Sequence, residues 1–284
     1  QTPTLQRLLD SWLDEDIGRG DLSTVGLKVD LGSAYWTAKS PGTFCGGHIV
    51  ESLFKRLDTS IQIHLLIKDG QQFDTNQKLL EIEGPTKALL AGERTALNIA
   101  MHLSGIATST ALMVSELKGT GIQLADTRKT TPGLRNLEKY ATRCGGGINH
   151  RLGLDDSIML KENHLAWSEG LKETLKTIRL QAPWPTRIIV EAETPDQAEE
   201  AVQAGADGIL LDEIPPKTLQ ILVPRLRQLA VMRNTDKGCQ QLILEASGIN
   251  PMELKSYAGT GIDLISTSAP ITKSDWIDFS MRFQ

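Results

Sequence analysis

The hydrophobic pattern of this chain changes its rhythm near residue 122. Before that point, Leu5, Leu8, Leu9, Trp12 and Leu13 recur at helical spacing and predict a helix over 4–16. The segment EDIGRGDLST, 15–24, is turn-rich and reads as a helix stop linking into a strand. Residues 33–39, 61–67 and 77–83 are apolar-rich or alternating, with Gly or Pro at their ends, and predict strands. His64, inside IQIHLLI, reads as a half-buried strand residue rather than a ligand. Two helices are predicted over 86–103 and 105–117.

From Ile122 onward, short apolar runs alternate with longer amphipathic ones. Strands are predicted at 122–126, 157–161, 187–191, 208–212, 242–246 and 263–267. Helices are predicted between them at 134–143, 168–181, 195–204, 216–232 and 251–257. Such alternation implies a parallel sheet with right-handed crossovers. The fold class expected is α/β: an N-terminal unit of helices and strands, then an open, incomplete parallel α/β barrel.

Barrels of this kind place their active sites at the C-terminal ends of the strands. Those ends carry Asp126 to Lys129, Lys161-Glu162, Glu191, Asp212, Ser247-Gly248 and Ser266 to Ser268, whereas the strand bodies are Ile, Leu and Val. Charge collected at that rim points to a shared site rather than to turn polarity. The stretch from Asp126 to His164 holds seven Lys or Arg, two His and the run Gly145-Gly146-Gly147. Arg128, Lys129, Arg151 and Lys161 suit a polyanion, Arg by bidentate pairing and Lys as a point charge. Glu191 and Asp212 can hold Mg²⁺ by way of phosphates and sugar hydroxyls, or favour positive charge growing on a sugar carbon. Ser247-Gly248 and Ser266-Thr267-Ser268 follow the last two strands, where barrels often bind phosphate through backbone N–H groups. The bland alternative is a solvated basic loop region.

Charge sharpens this picture. The 284 residues carry a net charge of −5, so the cations near 128–161 stand against an acidic background. That suits a focused anion site and argues against a nucleic-acid binder. No run approaches the ~20 apolar residues of a membrane span, and no secretory signal is visible. The expected location is the cytoplasm. Cys45, Cys144 and Cys239 are odd in number and lack metal spacing, which implies a reducing compartment without a structural disulfide. Cys144 precedes the glycine run, but nothing in the sequence marks it as a nucleophile. Walker, HExxH and Rossmann motifs are absent.

Several blocks are specific. ERTALNIAMHLSGIAT (93–108), TRKTTPGLR (127–135), CGGGINHRLGLDDSIMLKENH (144–164), VEAET (190–194), LLDE (210–213) and EASGIN (245–250) together resemble the quinolinate phosphoribosyltransferase family, as does EDIGRGDLST. The resemblance covers nearly the whole chain. It implies an N-terminal α/β sandwich domain over 1–104, an incomplete α/β barrel over 105–268, and a tail over 269–284 that returns to the N-terminal domain. It implies reaction of quinolinate with phosphoribosyl pyrophosphate, with Mg²⁺, giving nicotinate mononucleotide, pyrophosphate and CO₂ in de novo NAD synthesis. A homodimer with shared active sites is implied, and neither nucleic acid nor membrane as partner.

By the same resemblance, Arg94 reaches quinolinate across the dimer. Thr127, Arg128, Lys129, His150, Arg151 and Lys161 form the pocket for quinolinate and diphosphate. Glu191 and Asp212 stand near the ribose and metal, with Lys129, Lys161, Glu191 and Asp212 in catalytic roles. Ser247, Gly248, Ile249, Ser266, Thr267 and Ser268 fall at the 5-phosphate site. The segment ISTSAP departs from the family, where a glycine often follows the strand. The alternatives are a related transferase for another pyridine carboxylate, a barrel aldolase with Lys161 or Lys129 as Schiff-base nucleophile, and a non-catalytic binding protein on the same scaffold.

Overall fold

The computed structural model describes residues 2–28, 30–168, 170–233 and 241–284. Cys239 lies outside the described residues. In chain order the elements are α1 (Pro3–Ile17), β1 (Leu31–Ala38), β2 (Gly42–Thr43), α2 (Gly47–Leu57), β3 (Gln62–Leu65), β4 (Gln72–Phe73), β5 (Lys78–Pro85) and α3 (Thr86–Glu116). Then follow β6 (Gln123–Ala125), α4 (Arg135–Cys144), β7 (Ile158–Leu160), α5 (Glu162–Leu165), α6 (Leu171–Gln181), β8 (Ile188–Ala192), α7 (Pro195–Ala204) and β9 (Gly208–Asp212). The last are α8 (Pro216–Arg233), β10 (Ile243–Ser247), β11 (Leu264–Ser266), α9 (Ala269–Thr272) and β12 (Phe279–Phe283).

The chain divides into two compact units. The first comprises Gln1–Ala111, Leu137–Gly146 and Lys273–Gln284; the second comprises Leu112–Asn136 and Gly147–Thr272. The division expected at 104/105 lies within the continuous helix α3.

In the first unit, Thr2 caps α1 by accepting the Leu5 N–H at 3.3 Å, and Pro3 opens the helix where no N–H is needed. Leu9 and Leu13 are its buried residues. An antiparallel sheet runs in the order β12-β1-β5-β3. Alternation along β1 buries Ala34, Trp36 and Ala38. The C-terminal strand β12 pairs with β1, setting Met281 opposite Trp36. From it Phe279 packs on Trp36, Phe44 and Phe73, with ring centroids 5.6–6.4 Å apart. Fully burying a side chain of this size is worth roughly 1.5–3 kcal/mol, so the returning strand closes this core.

The two helices predicted over 86–117 are one. Gly105 does not break α3; it admits another segment. A Cβ there would lie 2.2 Å from the carbonyl oxygen of Asp275, so only glycine lets the returning chain pass. By length and apolarity α3 meets the requirement for a membrane span, which the residue-by-residue pattern did not suggest, yet half of its most apolar window is buried. Leu89, Leu97, Leu103 and Ile106 give it that apolarity as core residues.

In the second unit, six parallel strands run β6-β11-β10-β9-β8-β7. The first and second strands in sequence, β6 and β7, stand at opposite edges, so the barrel is open between them. Val190, Ile209, Leu211, Leu244 and Ala246 are buried against Ala201, Val202, Leu219 and Leu222 of α7 and α8. The intervening residues Glu191, Leu210, Asp212, Glu245 and Ser247 therefore face the barrel interior. Register fixes their levels: Glu191 and Glu245 both stand opposite Leu210, and Ser247 stands opposite Asp212.

Two further helix expectations shift. Residues 168–181 give α6 from Leu171, entered through Gly170 at φ 113, with the short α5 before it. Residues 251–257 form a 3₁₀ helix. The pattern alone also understates charge at the other rim. Arg179 pairs with Asp207 at 2.8 Å and Arg227 with Asp263 at 2.8 Å, while Asp207 and Asp263 accept the N–H groups of Ile188 and Leu244. These four charges of the N-terminal rim are therefore paired and structural. At the C-terminal rim Arg128, Lys129 and Arg151 form no such pair among the described residues.

Candidate active site

A cavity of ≈ 450 Å³ opens at the C-terminal ends of the barrel strands, lined entirely by residues of the second unit. Its cationic side is built by two loops. After β6, Thr127 accepts the Lys129 N–H at 3.0 Å and turns the chain. Arg135, the first residue of α4, donates to Thr130 Oγ1 at 3.0 Å, to the Leu152 carbonyl at 3.1 Å and to the Arg128 carbonyl at 3.3 Å. One guanidinium thus fixes both loops, and its role is positioning.

Arg128, Lys129 and Arg151 line the cavity and form no salt bridge among the described residues. The Arg151 side chain donates instead to the Ser157 carbonyl at 3.0 Å. Burial, and then repulsion from Arg128, push the Arg151 guanidinium below its ordinary value, with Asp156 opposing. An arginine remains charged under such pressure, so the site holds positive charge that favours an anion. Partial burial works to raise Asp156, but the N–H groups of Leu152 and Gly153 hold its carboxyl below the usual range.

The acidic side comes from β8 and β9. Glu191 receives a hydrogen bond from the Lys161 ammonium. Burial raises the Glu191 carboxyl; Lys161 opposes that, and the neighbouring Asp212 adds to it. Lys161 is thereby tied to a carboxylate at the edge of the cavity.

A buried polar layer lies beneath. Asp126, 1% exposed, accepts the Asn149 side-chain amide at 2.6 Å and the His150 N–H at 2.8 Å. His150 Nδ1 accepts the Arg151 N–H at 2.7 Å, so the ring proton sits on Nε2. Nε2 donates to Glu245 Oε2 at 3.2 Å. Glu245 is 3% exposed, and its Oε1 has no hydrogen-bond partner among the described residues. A second cavity of ≈ 510 Å³ lies toward the N-terminal rim and shares His150, Arg151 and Glu245 as lining.

The structure brings together most of the residues expected at the site. Thr127, Arg128, Lys129, His150, Arg151, Lys161, Glu191, Asp212, Ser247 and Ser266 all line the cavity. Arg94 does not; it is exposed on α3 in the first unit. Gly248, Ile249, Thr267 and Ser268 are not lining residues either. Thr267 donates its N–H to the Ala125 carbonyl at 3.1 Å and accepts the Ala269 N–H at 3.2 Å. The Ser268 carbonyl accepts from Ile271 and Thr272. Both residues start α9. Gly248 follows Ser247 at φ 68, where a Cβ would lie 2.5 Å from Glu213 Cγ.

Sequence reasoning named Asp126 at the rim but missed Arg135, Met159, Leu210 and Glu245 as parts of this site. Glu245 left a signal: it is an acidic residue inside the apolar run LILEA. A charge placed in the middle of a buried strand has a use or a partner.

Fold and site define an open α/β-barrel protein whose rim holds cations that form no salt bridge among the described residues, beside a carboxylate pair, a pocket for a multiply charged anion. Models of the quinolinate phosphoribosyl transferase N-terminal and C-terminal domains match residues 21–104 and 106–282. The chain belongs to the quinolinate phosphoribosyltransferase family. A probable nicotinate-nucleotide pyrophosphorylase [carboxylating] of Synechocystis is 41% identical over 276 residues, 96% of this chain and 90% of that protein. One from Bacillus subtilis is 41% identical over 98% of this chain and 92% of its own. Among solved structures, NadC from Streptococcus pyogenes covers 100% of this chain and 98% of its own, with a TM-score of 0.91 and 34% identity.

Proposed function

We propose that this protein transfers the phosphoribosyl group of phosphoribosyl pyrophosphate to quinolinate and releases pyrophosphate and CO₂, leaving nicotinate mononucleotide for NAD synthesis. The observation that carries this reading is the group Arg128, Lys129 and Arg151, three cations in one cavity with no carboxylate partner among the described residues. Two carboxylates on one ring and a diphosphate need such a group. A charge-assisted hydrogen bond is worth roughly 1.5–3 kcal/mol.

Arg128 and Arg151 bind the carboxylates of quinolinate, with Lys129 and Lys161 toward the diphosphate. Ser247 and Ser266 receive the 5-phosphate. The pyridine nitrogen attacks the sugar carbon as the bond to pyrophosphate breaks. Glu191 and Asp212 favour the positive charge that grows on that carbon. The nitrogen then carries a positive charge, and the ring accepts the electron pair left when the adjacent carboxylate departs as CO₂.

Mg²⁺ fits the donor chemistry in a limited way. Glu191 and Asp212 are hard oxygen donors on neighbouring strands, but Glu191 already holds Lys161. That suits an ion that keeps several waters and binds mainly through substrate phosphates. When bound, the ion supplies charge neutralisation to the leaving diphosphate. We take the working form to be a cytoplasmic homodimer in which Arg94 serves the pocket of the partner subunit.

The engagement of Lys161 by Glu191 argues against a Schiff-base aldolase, because that nucleophile must be a free amine. The test is incubation with quinolinate, phosphoribosyl pyrophosphate and Mg²⁺, following CO₂ and nicotinate mononucleotide. Turnover of nicotinate but not quinolinate, or a borohydride-stable adduct at Lys161 with a keto acid, would overturn the reading.

A further inference from the structure

The first unit contains a cluster that pocket chemistry does not use. Cys45 lies just before α2, and Cys144 is the last residue of α4. The fold brings these distant residues together: both Sγ atoms and a carboxylate oxygen of Asp69 lie within 4.8 Å of one another. Cys45 is fully buried and Cys144 partly so, and neither is in a disulfide.

The surroundings decide between two uses of such a cluster, a thiophilic metal site or a dithiol. A Cys-Cys-Asp metal site needs a carboxylate oxygen free to ligate. Asp69 Oδ1 accepts the N–H groups of Gly46 at 3.0 Å and Gly47 at 2.9 Å. Its Oδ2 accepts the Tyr140 hydroxyl at 2.7 Å and lies 3.2 Å from His48 Nδ1. Those four contacts occupy the lone-pair positions of a carboxylate. Ligation by Asp69 would therefore displace an existing bond.

The two sulfurs are unequal. The thiol of Cys45 donates toward Cys144 and, with the Tyr140 hydroxyl close by, holds it below the ordinary thiol range against its burial. Cys45 is pushed well up, by donating to Cys144 and by its own burial. A thiolate beside a protonated thiol is the pairing in which one sulfur reacts first and the other resolves.

We propose that Cys45 and Cys144 form a reversible dithiol–disulfide pair, with Cys144 reacting first with a hydroperoxide and Cys45 resolving it. The Cys144 thiolate attacks one peroxide oxygen. An S–O bond forms, the O–O bond breaks, and the departing hydroxide (an alkoxide from an organic hydroperoxide) takes a proton from solvent to become water or the alcohol. Cys144 is oxidised by two electrons and the peroxide reduced. Cys45 gives up its proton and attacks the Cys144 sulfur. The S–S bond forms as the S–O bond breaks, and the hydroxide leaves as a second water on that proton. A small-molecule dithiol restores both thiols by exchange. The bridge ties the C-terminal end of α4 to the segment that opens α2. Beyond Cys144 the chain runs through Gly145, Gly146 and Gly147 to Asn149 and His150, and α4 begins at Arg135, so both ends of this helix lead to pocket loops.

The test treats the full chain with hydrogen peroxide under native conditions, blocks remaining thiols by alkylation, and maps peptides by mass. The expected product is a Cys45–Cys144 cross-link, two hydrogens lighter than the separate peptides and reversed by dithiothreitol. Cys45→Ser should accumulate a dimedone-trappable sulfenic acid at Cys144, and Cys144→Ala should leave Cys45 unmodified. Wild-type mapping decides the matter if a variant fails to fold. Both residues alkylated after peroxide, or cross-linked only to Cys239, would overturn the proposal. So would one zinc per chain in the isolated protein that shields the thiols until chelated.

Discussion

Glu245→Gln separates stability from activity in opposite directions. The wild-type carboxylate is buried in β10, gives Oε2 to His150 at 3.2 Å, and leaves Oε1 without a partner among the described residues. A buried unsatisfied polar group costs roughly 1–3 kcal/mol, more when charged. The glutamine keeps an acceptor for the His150 Nε2–H and removes the charge, but leaves an amide in the same position. A net stabilisation of about 1 kcal/mol follows, or roughly 2–4 °C in melting temperature for a protein in this size range. His150 loses the charged half of its bond. Hydrogen bonds to charged groups are worth roughly 1.5–3 kcal/mol against 0.5–1.5 for neutral ones. The difference of about 1 kcal/mol is roughly fivefold in rate or affinity. Because His150 lines the anion cavity, the loss should appear as a higher KM for quinolinate with kcat nearly unchanged. Thermal melting and initial rates on the purified variant give both numbers. A lower melting temperature with an unchanged KM would refute the reasoning, since Glu245 would then be a stabilising core partner without a positioning role.

Three further outcomes are expected. Arg151→Met should reduce kcat/KM for quinolinate by about 10- to 150-fold, the loss of one charge-assisted bond, yet raise the melting temperature, because a half-buried cation beside Arg128 is removed; a fall in both would count against an anion clamp. Glu191 has a carboxyl raised by burial, so folding favours its protonated form. Its ionisation therefore costs stability above the folded value, and that cost is relieved as pH falls through the range just above the ordinary glutamate value. The melting-temperature difference between Glu191→Gln and wild type should shrink on acidification through that range while the variant stays inactive, and a pH-independent difference would contradict the shift. Gly105→Ala should lower the melting temperature by several degrees, at a cost of about 1–3 kcal/mol, since its Cβ meets the Asp275 carbonyl oxygen; an unchanged melt would mean that the returning segment shifts freely.

Some parts of this molecule were legible in sequence because the physics behind them is local. A parallel barrel strand must be apolar where it is covered and can be polar only where it emerges, so Glu191 and Asp212 stand out at the ends of RIIVE and GILLD. Thr127 to Lys129 follow a strand in the same way. Other features depend on what the chain meets far away. Nothing near Gly105 reveals that residues 275–276 cross α3 there, so a glycine that admits a close approach read as a helix break. Thr267 and Ser268 are expected at a phosphate because they follow β11, and in the fold they also lead into α9, Thr267 accepting the Ala269 N–H and the Ser268 carbonyl accepting those of Ile271 and Thr272.

Pairing is the property that sequence conceals most. Charges crowd both rims of the barrel, and residue types do not tell them apart. At the N-terminal rim, Arg179 and Arg227 each have an aspartate, and each aspartate also receives a backbone N–H from the adjoining strand. At the C-terminal rim, Arg135 spends its donors on carbonyls of the loops that carry Arg128 and Leu152, and Arg128, Lys129 and Arg151 form no salt bridge among the described residues. The same residue type is thus scaffold at position 135 and binding surface at positions 128 and 151. The distinction follows from which oxygens lie within 3.3 Å of the guanidinium. Arg135 commits all three of its guanidinium nitrogens in this way, whereas Arg151 gives only one to the Ser157 carbonyl and keeps the others toward the cavity. Positive charge held together without a protein counter-ion is stable only if the site is meant for an anion that arrives from outside.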